Sequence, residues 1–472
     1  MADAGGLGRE WSKVAIAWLP FADAASPDVP LPRLLRLALF QVSVGMTLVL
    51  LNGTLNRVMI VELGLPTWLV ALMIAVPLVA APFRALIGHR SDTHRSVLGW
   101  RRVPYIWFGT MTQFGGLAIM PFALLLLGRP ENFVLGAMAS ALAFVMTGVG
   151  MHTTQTAGLA LATDLVPADK RPRAVALLYV MLLVGMMITA LAFGRILAEF
   201  TPTRLVQVVQ GAAVLTFALN LVALWKQEAR NCSAASKAAP GRQSFDAVWT
   251  AFTREPATGR LLIAIGLGAA AFSMQDALLE PFGGEILGMS VGQTTGLTGC
   301  WALGALAGFA LAAKRLNRGT DPLRLAGTGA VVGIAAFLQV LFAVPLALPA
   351  MLATGAITIG LGVGLFSVGT LVAAMALGKE GSSGLALGAW GAVQASCAGL
   401  AIALGGLLRD AIASLALADG LGATLAQRAT GYGTVYALEI VLLLATLVVL
   451  GPLVGRVRAT GQTHFGLTEF PT

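Results

Sequence analysis

Charge is what this chain has least of. Only 11% of its 472 residues are Asp, Glu, Lys or Arg, while 57% are hydrophobic. A soluble domain carries about 25% charged residues, so this one cannot cover a water-facing surface and is expected in a bilayer. Cysteine is scarce too. Cys232, Cys300 and Cys397 form no metal-ligand spacing, which excludes a disulfide framework and a thiolate metal site. Missing as well are a G-x-x-x-x-G-K-[ST] loop, a His/Cys ligand cluster and paired acids of the isoprenoid-diphosphate type. An enzyme is therefore the weakest function class. The first thirty residues lack a basic stretch followed by a long apolar run, so no cleaved signal peptide is expected. The net charge of +9 is scattered over loops instead of gathered on one face, which argues against nucleic acid as a partner.

Long apolar runs are present in number. Spanning a hydrocarbon core takes roughly 20 residues, and twelve segments qualify: 37–61, 66–88, 103–127, 134–162, 174–198, 204–225, 260–281, 292–313, 323–345, 347–377, 384–408 and 432–454. They are apolar all round, without strand alternation, so they predict helices and not a barrel. The fourth and tenth are overlong and must tilt, bend or protrude. Fifty-six glycines suit close helix contacts. G-x-x-x-G pairs such as Gly304–Gly308, Gly329–Gly333 and Gly384–Gly388 are expected mainly to pack the bundle.

The 31 Lys and Arg divide unevenly between the two sides. Six, namely Arg57, Arg129, Arg195, Arg204, Arg409 and Arg428, fall on one side, Arg84 lies within the second segment, and the other 24 fall on the opposite side. The positive-inside rule then predicts both termini in the cytoplasm. Residues 226–259, containing KQEARNCSAASKAAPGRQS, read as a cytoplasmic linker between two halves, 37–225 and 260–454. Residues 1–36 and 455–472 complete the cytoplasmic parts. Trp11, Val14, Ala15 and Trp18 form an i, i+3, i+4, i+7 stripe suited to a short interfacial helix ending at Pro20. Six plus six helices in two pseudo-symmetric halves, with a basic central loop, resembles the major facilitator superfamily.

One short gap concentrates charge. Between the second and third segments the chain reads Gly88-x-x-x-Asp92, then Gly99-Trp100-Arg101-Arg102. This resembles the superfamily's loop signature, with extra residues inserted. Gly88 permits a tight exit from a helix. Asp92 can accept charge-assisted hydrogen bonds from Arg84 or Arg101, or cap a neighbouring helix. Arg101 and Arg102, just before the third helix, lie within reach of headgroup phosphates. Asp164 and Arg173, around LVPADKRPRA, are expected to join this cytoplasmic latch. The matching stretch of the second half, from Gly308 to Lys314, Arg315 and Arg318, has its nearest acid late, at Asp321. A symmetric latch is not expected.

Four stretches are more specific: GTLNRVMIVELG (53–64), APFRALIGHRSD (81–92), GWRRVPYIWFGTMTQFGG (99–116) and QDALLEPFGGEILGM (275–289). They resemble the PucC/LhaA family, the bacteriochlorophyll-delivery branch of the superfamily in phototrophic bacteria. The resemblance implies an assembly factor for light-harvesting complexes in the bacterial inner (intracytoplasmic) membrane. It would hand bacteriochlorophyll, as cargo or bound ligand, to antenna α and β polypeptides of LH1 or LH2, or hold those polypeptides until pigment arrives. Carotenoid and membrane lipids are further expected partners. The alternative, from fold alone, is a secondary transporter of an amphiphilic small molecule.

Polar residues inside apolar runs are the candidate cargo contacts. His152, in GVGMHTTQTAG with Gln155, is open to two readings: axial ligand of a pigment magnesium, or a histidine hydrogen-bonded to a neighbouring helix. Gln275, Asp276 and Glu280 place two acids at i and i+4. These acids either hold a pigment's polar edge, carry a proton, or form a solvated pair at the helix end. Glu439 is expected to pair with Arg409 or Arg428, and Arg57 and Arg195 to snorkel.

Overall fold

The structure, a computed structural model, describes residues 29–79, 100–167, 170–228, 256–346, 348–377, 383–418 and 427–455. The described residues are helical, with no strand among them. Chain order gives α1 (Leu31–Glu62), α2 (Thr67–Val79), α3 (Val103–Leu127), α4 (Phe133–Leu165), α5 (Arg171–Ile196) and α6 (Pro202–Leu224). The second half supplies α7 (Ala257–Glu285), α8 (Val291–Asn317), α9 (Pro322–Phe342), α10 (Pro349–Leu377), α11 (Ser383–Leu417) and α12 (Ala429–Leu450). Among the described residues, eleven of these are long and apolar enough to cross a membrane; α2 is shorter and stops where the described residues stop. A helix bonds its own backbone internally, which is what a segment in lipid requires. Phe108, Val134, Met138 and Val448 are each at least 67% exposed, a surface suited to acyl chains and not to water.

Helix starts follow local chemistry. Pro202 and Pro322 open α6 and α9, where a missing N–H costs nothing, and Thr201 and Asp321 cap those helices. Ser290 and Gln293 form a reciprocal capping box for α8. Three expected limits shift. α1 begins at Leu31, inside the segment assigned to the N-terminal region, because Leu31, Leu34 and Leu37 are buried. α8 runs on to Asn317, so Gly308 does not end a helix; it lies mid-helix against the Leu361 carbonyl of α10. α11 runs on to Leu417, past the expected limit at 408. It continues past Arg409–Asp410 because both charges are neutralised by partners, described below.

Two packed sets of helices meet along matching seams. Within the first set α3 lies on α4, where Gly150 is so close to Gly109 that an added Cβ would stand 2.6 Å from its carbonyl oxygen. Within the second, α10 packs on α8 and α9, with Gly304 and Gly308 on α8 and Gly329 on α9 at those contacts; Gly333 lies against Phe272 of α7. Across the sets, α2 packs on α11 and α5 on α8, positions equivalent under exchange of the halves. These cross-half contacts sit at the side away from the linker: Gly406 against Thr67 and Ala71, and Gly194 against Gly292.

Two helices lose regular geometry. α1 carries π-helical stretches at Val49–Leu55 and Val58–Glu62. α7 breaks into a 3-10 turn at Met274–Ala277 before resuming at Leu279.

Candidate functional site

Arg84, Gly88, Asp92 and Gly99 lie outside the described residues, as does the stripe Trp11–Trp18. What is described of the linker-side latch is an ion pair and a cap. Arg102 is buried, and its Nε donates to Oδ2 of Asp164 at 3.0 Å, joining the start of α3 to the end of α4. Its side chain is thus turned into the protein, away from the headgroup role expected for it. The backbone amides of Arg101, Arg102 and Val103 donate to the Glu228 carboxylate at 2.8, 3.1 and 3.0 Å. An acid just past the end of α6 therefore holds the positive end of α3. Beside it, Arg33 of α1 donates to the Gln227 carbonyl at 2.7 Å and to its Oε1 at 3.2 Å. Arg173, in the first turn of α5, is half-buried.

The first half has a polar interior. His152 and Gln155 lie on one face of α4, both buried, and Gln155 Nε2 donates to Oε1 of Gln41 on α1 at 3.3 Å. Nearby, Gln113 donates to Thr47 at 2.6 Å, Ser43 to Asn220 at 2.7 Å, and Asn220 to Thr110 at 3.0 Å. This seam ties α1, α3, α4 and α6 with neutral amides and hydroxyls.

Where the irregular parts of α1 and α7 meet, the arrangement is acidic. Asn56 lies between the two π-helical stretches. Its Nδ2 stands 3.4 Å from the Asp276 carbonyl and 3.4 Å from Oε2 of Glu280, while Thr298 of α8 donates to Oε1 of Glu280 at 2.7 Å. Gln275 donates to the Asp276 carboxylate. Glu280 is 4% exposed, Gln275 2% and Asn56 0%; Asp276 keeps some accessible surface. The pair is therefore no solvated helix end: α7 continues to Glu285, and the 3-10 turn breaks the expected i, i+4 register. Thr54 and Thr295, 3.2 Å apart, continue the contact between α1 and α8.

Glu439 of α12 does not pair with Arg409 or Arg428. It is fully buried, neither oxygen makes a hydrogen bond of normal geometry, and the groups that act on it are the Gln275 backbone and Asp276. The two arginines instead converge on Glu285, which Arg409 pairs directly and Arg428 reaches at 3.2 Å. Tyr432 donates to Glu285 at 2.7 Å, and the Arg409 guanidinium lies 4.4 Å over the Tyr432 ring. Arg409 also holds Asp410 at 2.8 Å, whose other oxygen accepts from the Trp68 backbone of α2 at 2.8 Å. Arg57 does not snorkel. It is 5% exposed, pairs with Glu62 and donates to the Met289 carbonyl at 3.2 Å. Arg195 is exposed, as snorkelling requires. A cavity of about 280 Å³ lies by this corner, lined by Ile60, Leu65, Glu285, Arg409 and Arg428 among others.

Asn56, Thr298, Glu228 and Glu285 carry these contacts without being singled out in the sequence. Glu228 and Glu285 are acids at helix ends in a chain poor in acids, and that scarcity was the available signal. Nothing in the sequence marks the two irregular helices.

Comparison with known proteins agrees with the fold. A POT family transporter crystallised with a thioalcohol-conjugated peptide superposes with a TM-score of 0.66 at 13% identity, covering 91% of this chain and 99% of its own. The fold is thus that of a major facilitator transporter, all-α and multi-pass. Among sequences, Protein PucC of Rhodovulum sulfidophilum is 55% identical, over 81% of this chain and 86% of its own. A Rhodobacter capsulatus protein of the puhA-bchM intergenic region is 52% identical, over 98% and 99%. A bacteriochlorophyll synthase 44.5 kDa chain of that organism is 29% identical, over 78% and 84%. The family model described as PUCC protein matches residues 54–457. With that match over most of its length, the chain belongs to the PucC family.

Proposed function

We propose that this protein is a light-harvesting complex assembly factor. It delivers bacteriochlorophyll to antenna α and β polypeptides, or holds them until pigment arrives, and it performs no chemistry on the pigment. The observation that carries this reading is membership of the PucC family over residues 54–457. The interior supports it. Gln41, Gln113, Gln155 and Asn220 each bond a neighbouring helix and none carries a charge, which suits an apolar or amphiphilic cargo better than an ionic solute. His152, buried on the same face of α4 as Gln155, is the residue we assign to the pigment magnesium. The excess of Lys and Arg on the linker side supports a cytoplasmic linker and cytoplasmic termini.

A second reading, transport of an amphiphilic small molecule, is favoured by one observation: the acids of α7 sit where the two halves touch. Deleting the gene in a phototrophic host separates the two. Delivery predicts loss of an antenna absorption band while free bacteriochlorophyll is still made; antenna at wild-type level would reject delivery in favour of transport.

A further inference from the structure

We propose that Asp276, Glu280 and Glu439 form a proton-binding site that governs the contact between the two halves. The inference holds under either functional reading above. Its starting point is Glu439. This carboxyl is fully buried with no hydrogen bond of normal geometry on either oxygen, and it faces the Gln275 backbone and Asp276 where α12 packs on the 3-10 turn of α7. Asp276 in turn feels Glu280. Asp276 and Glu280 thus lie on α7, and α12, which carries Glu439, packs against the same irregular turn.

No cation balances them among the described residues. Arg57 of α1 is committed to Glu62, and Arg409 of α11 to Glu285 and Asp410. The other groups facing the acids are neutral. On α12 they are Tyr436, fully buried with its hydroxyl unbonded, and Tyr432, bonded to Glu285. Gln275 on α7, Asn56 on α1 and Thr298 on α8 complete the surroundings, with Phe337 of α9 stacked on Tyr436. The thiols of Cys300 on α8 and Cys397 on α11 are further titratable groups on those helices, the latter against Gly266 of α7. Several negative charges buried without a countercharge are strongly unfavourable. A proton needs only a single free lone pair, and Glu439 offers it.

The site is connected to the rest of the molecule. Asp276 retains accessible surface, so a proton from water can enter there and pass to the sealed acids. Glu280 is the acid that touches the first half: its Oε2 takes the Asn56 amide and its Oε1 takes Thr298. A charged carboxylate accepts such bonds about twice as strongly as a neutral one. A proton resting on Glu439 or Asp276 leaves Glu280 charged and the halves held together. A proton on Glu280 weakens the Asn56 bond, at the place where α1 and α7 both depart from regular helix. Irregular turns inside helices recur at functional sites.

The test uses full-length protein in detergent. Infrared difference spectra between acidic and alkaline buffer should show a buried carboxyl C=O band in the wild type. Glu439→Gln, Glu280→Gln and Asp276→Asn should each reduce it by about one carboxyl's amplitude. Glu439→Asp keeps a carboxyl and should shift the band, so the test survives if a Gln variant fails to fold. Spin labels at Glu199 and Leu346, exposed positions on opposite halves, should change separation with pH in the wild type and stop responding in Glu280→Gln. A wild type without any pH-dependent carboxyl band, or a band of unchanged frequency and amplitude in every variant, would overturn the proposal.

Discussion

Asn56 on α1 donates to Glu280 on α7 at 3.4 Å, and with that one bond an irregular helix of the first half holds an irregular helix of the second. Both groups are buried. Asn56→Ala leaves Glu280 short of a donor, at a cost of about 1–3 kcal/mol. Thermal unfolding in detergent should move to lower temperature, and an unshifted transition would show that the bond carries no weight.

Gly406 sets the approach of α11 to α2. A Cβ there would overlap Ala71 and stand 3.0 Å from the Thr67 carbonyl. Gly406→Val should destabilise by about 1–3 kcal/mol, the usual cost of overpacking. Gly391, on the same helix, has nothing within 4 Å, so Gly391→Ala is the control. Equal melting temperatures for the two variants would contradict close packing at this seam.

Glu228 accepts from the first backbone amides of α3. Glu228→Ala removes a cap worth about 0.5–2 kcal/mol. Glu228→Gln, which keeps an acceptor but loses the charge, should lose less. The order wild type, Gln, Ala in melting temperature checks this; a Gln variant no better than Ala would refute the cap.

The apolar runs made the helical fold and its division into halves readable, because the bilayer imposes length and all-round apolarity on each span. Polar contacts were read less well. Arg409 and Asp410 looked like the end of a helix because sequence shows a charge but not its partner. Glu285 and Trp68, the partners, come from 124 and 342 residues away. Glu439 was assigned to those arginines for the same reason. Asp276 and Glu280 are legible as candidates, but the choice between a buried and a solvated pair is not, because nothing in the sequence marks the 3-10 turn at Met274–Ala277. Asn56 and Thr298 are not legible: a single amide or hydroxyl in an apolar run carries no signal until the opposing helix is placed.

His152 offers a sharp check on the pigment contact. If its imidazole ligates magnesium, His152→Leu should abolish co-purifying bacteriochlorophyll, and His152→Asn, which still presents an oxygen, should retain a part of it. Absorption per mole of protein measures both. Full pigment in His152→Leu would remove this residue from the site while leaving delivery standing.

The most direct measurement of the assembly role is on the wild-type protein itself. Purified in mild detergent from a phototrophic host, it should carry a bacteriochlorophyll absorption band together with small antenna α or β polypeptides identifiable by mass. A preparation free of both pigment and antenna polypeptide, from cells actively building antenna, would contradict it.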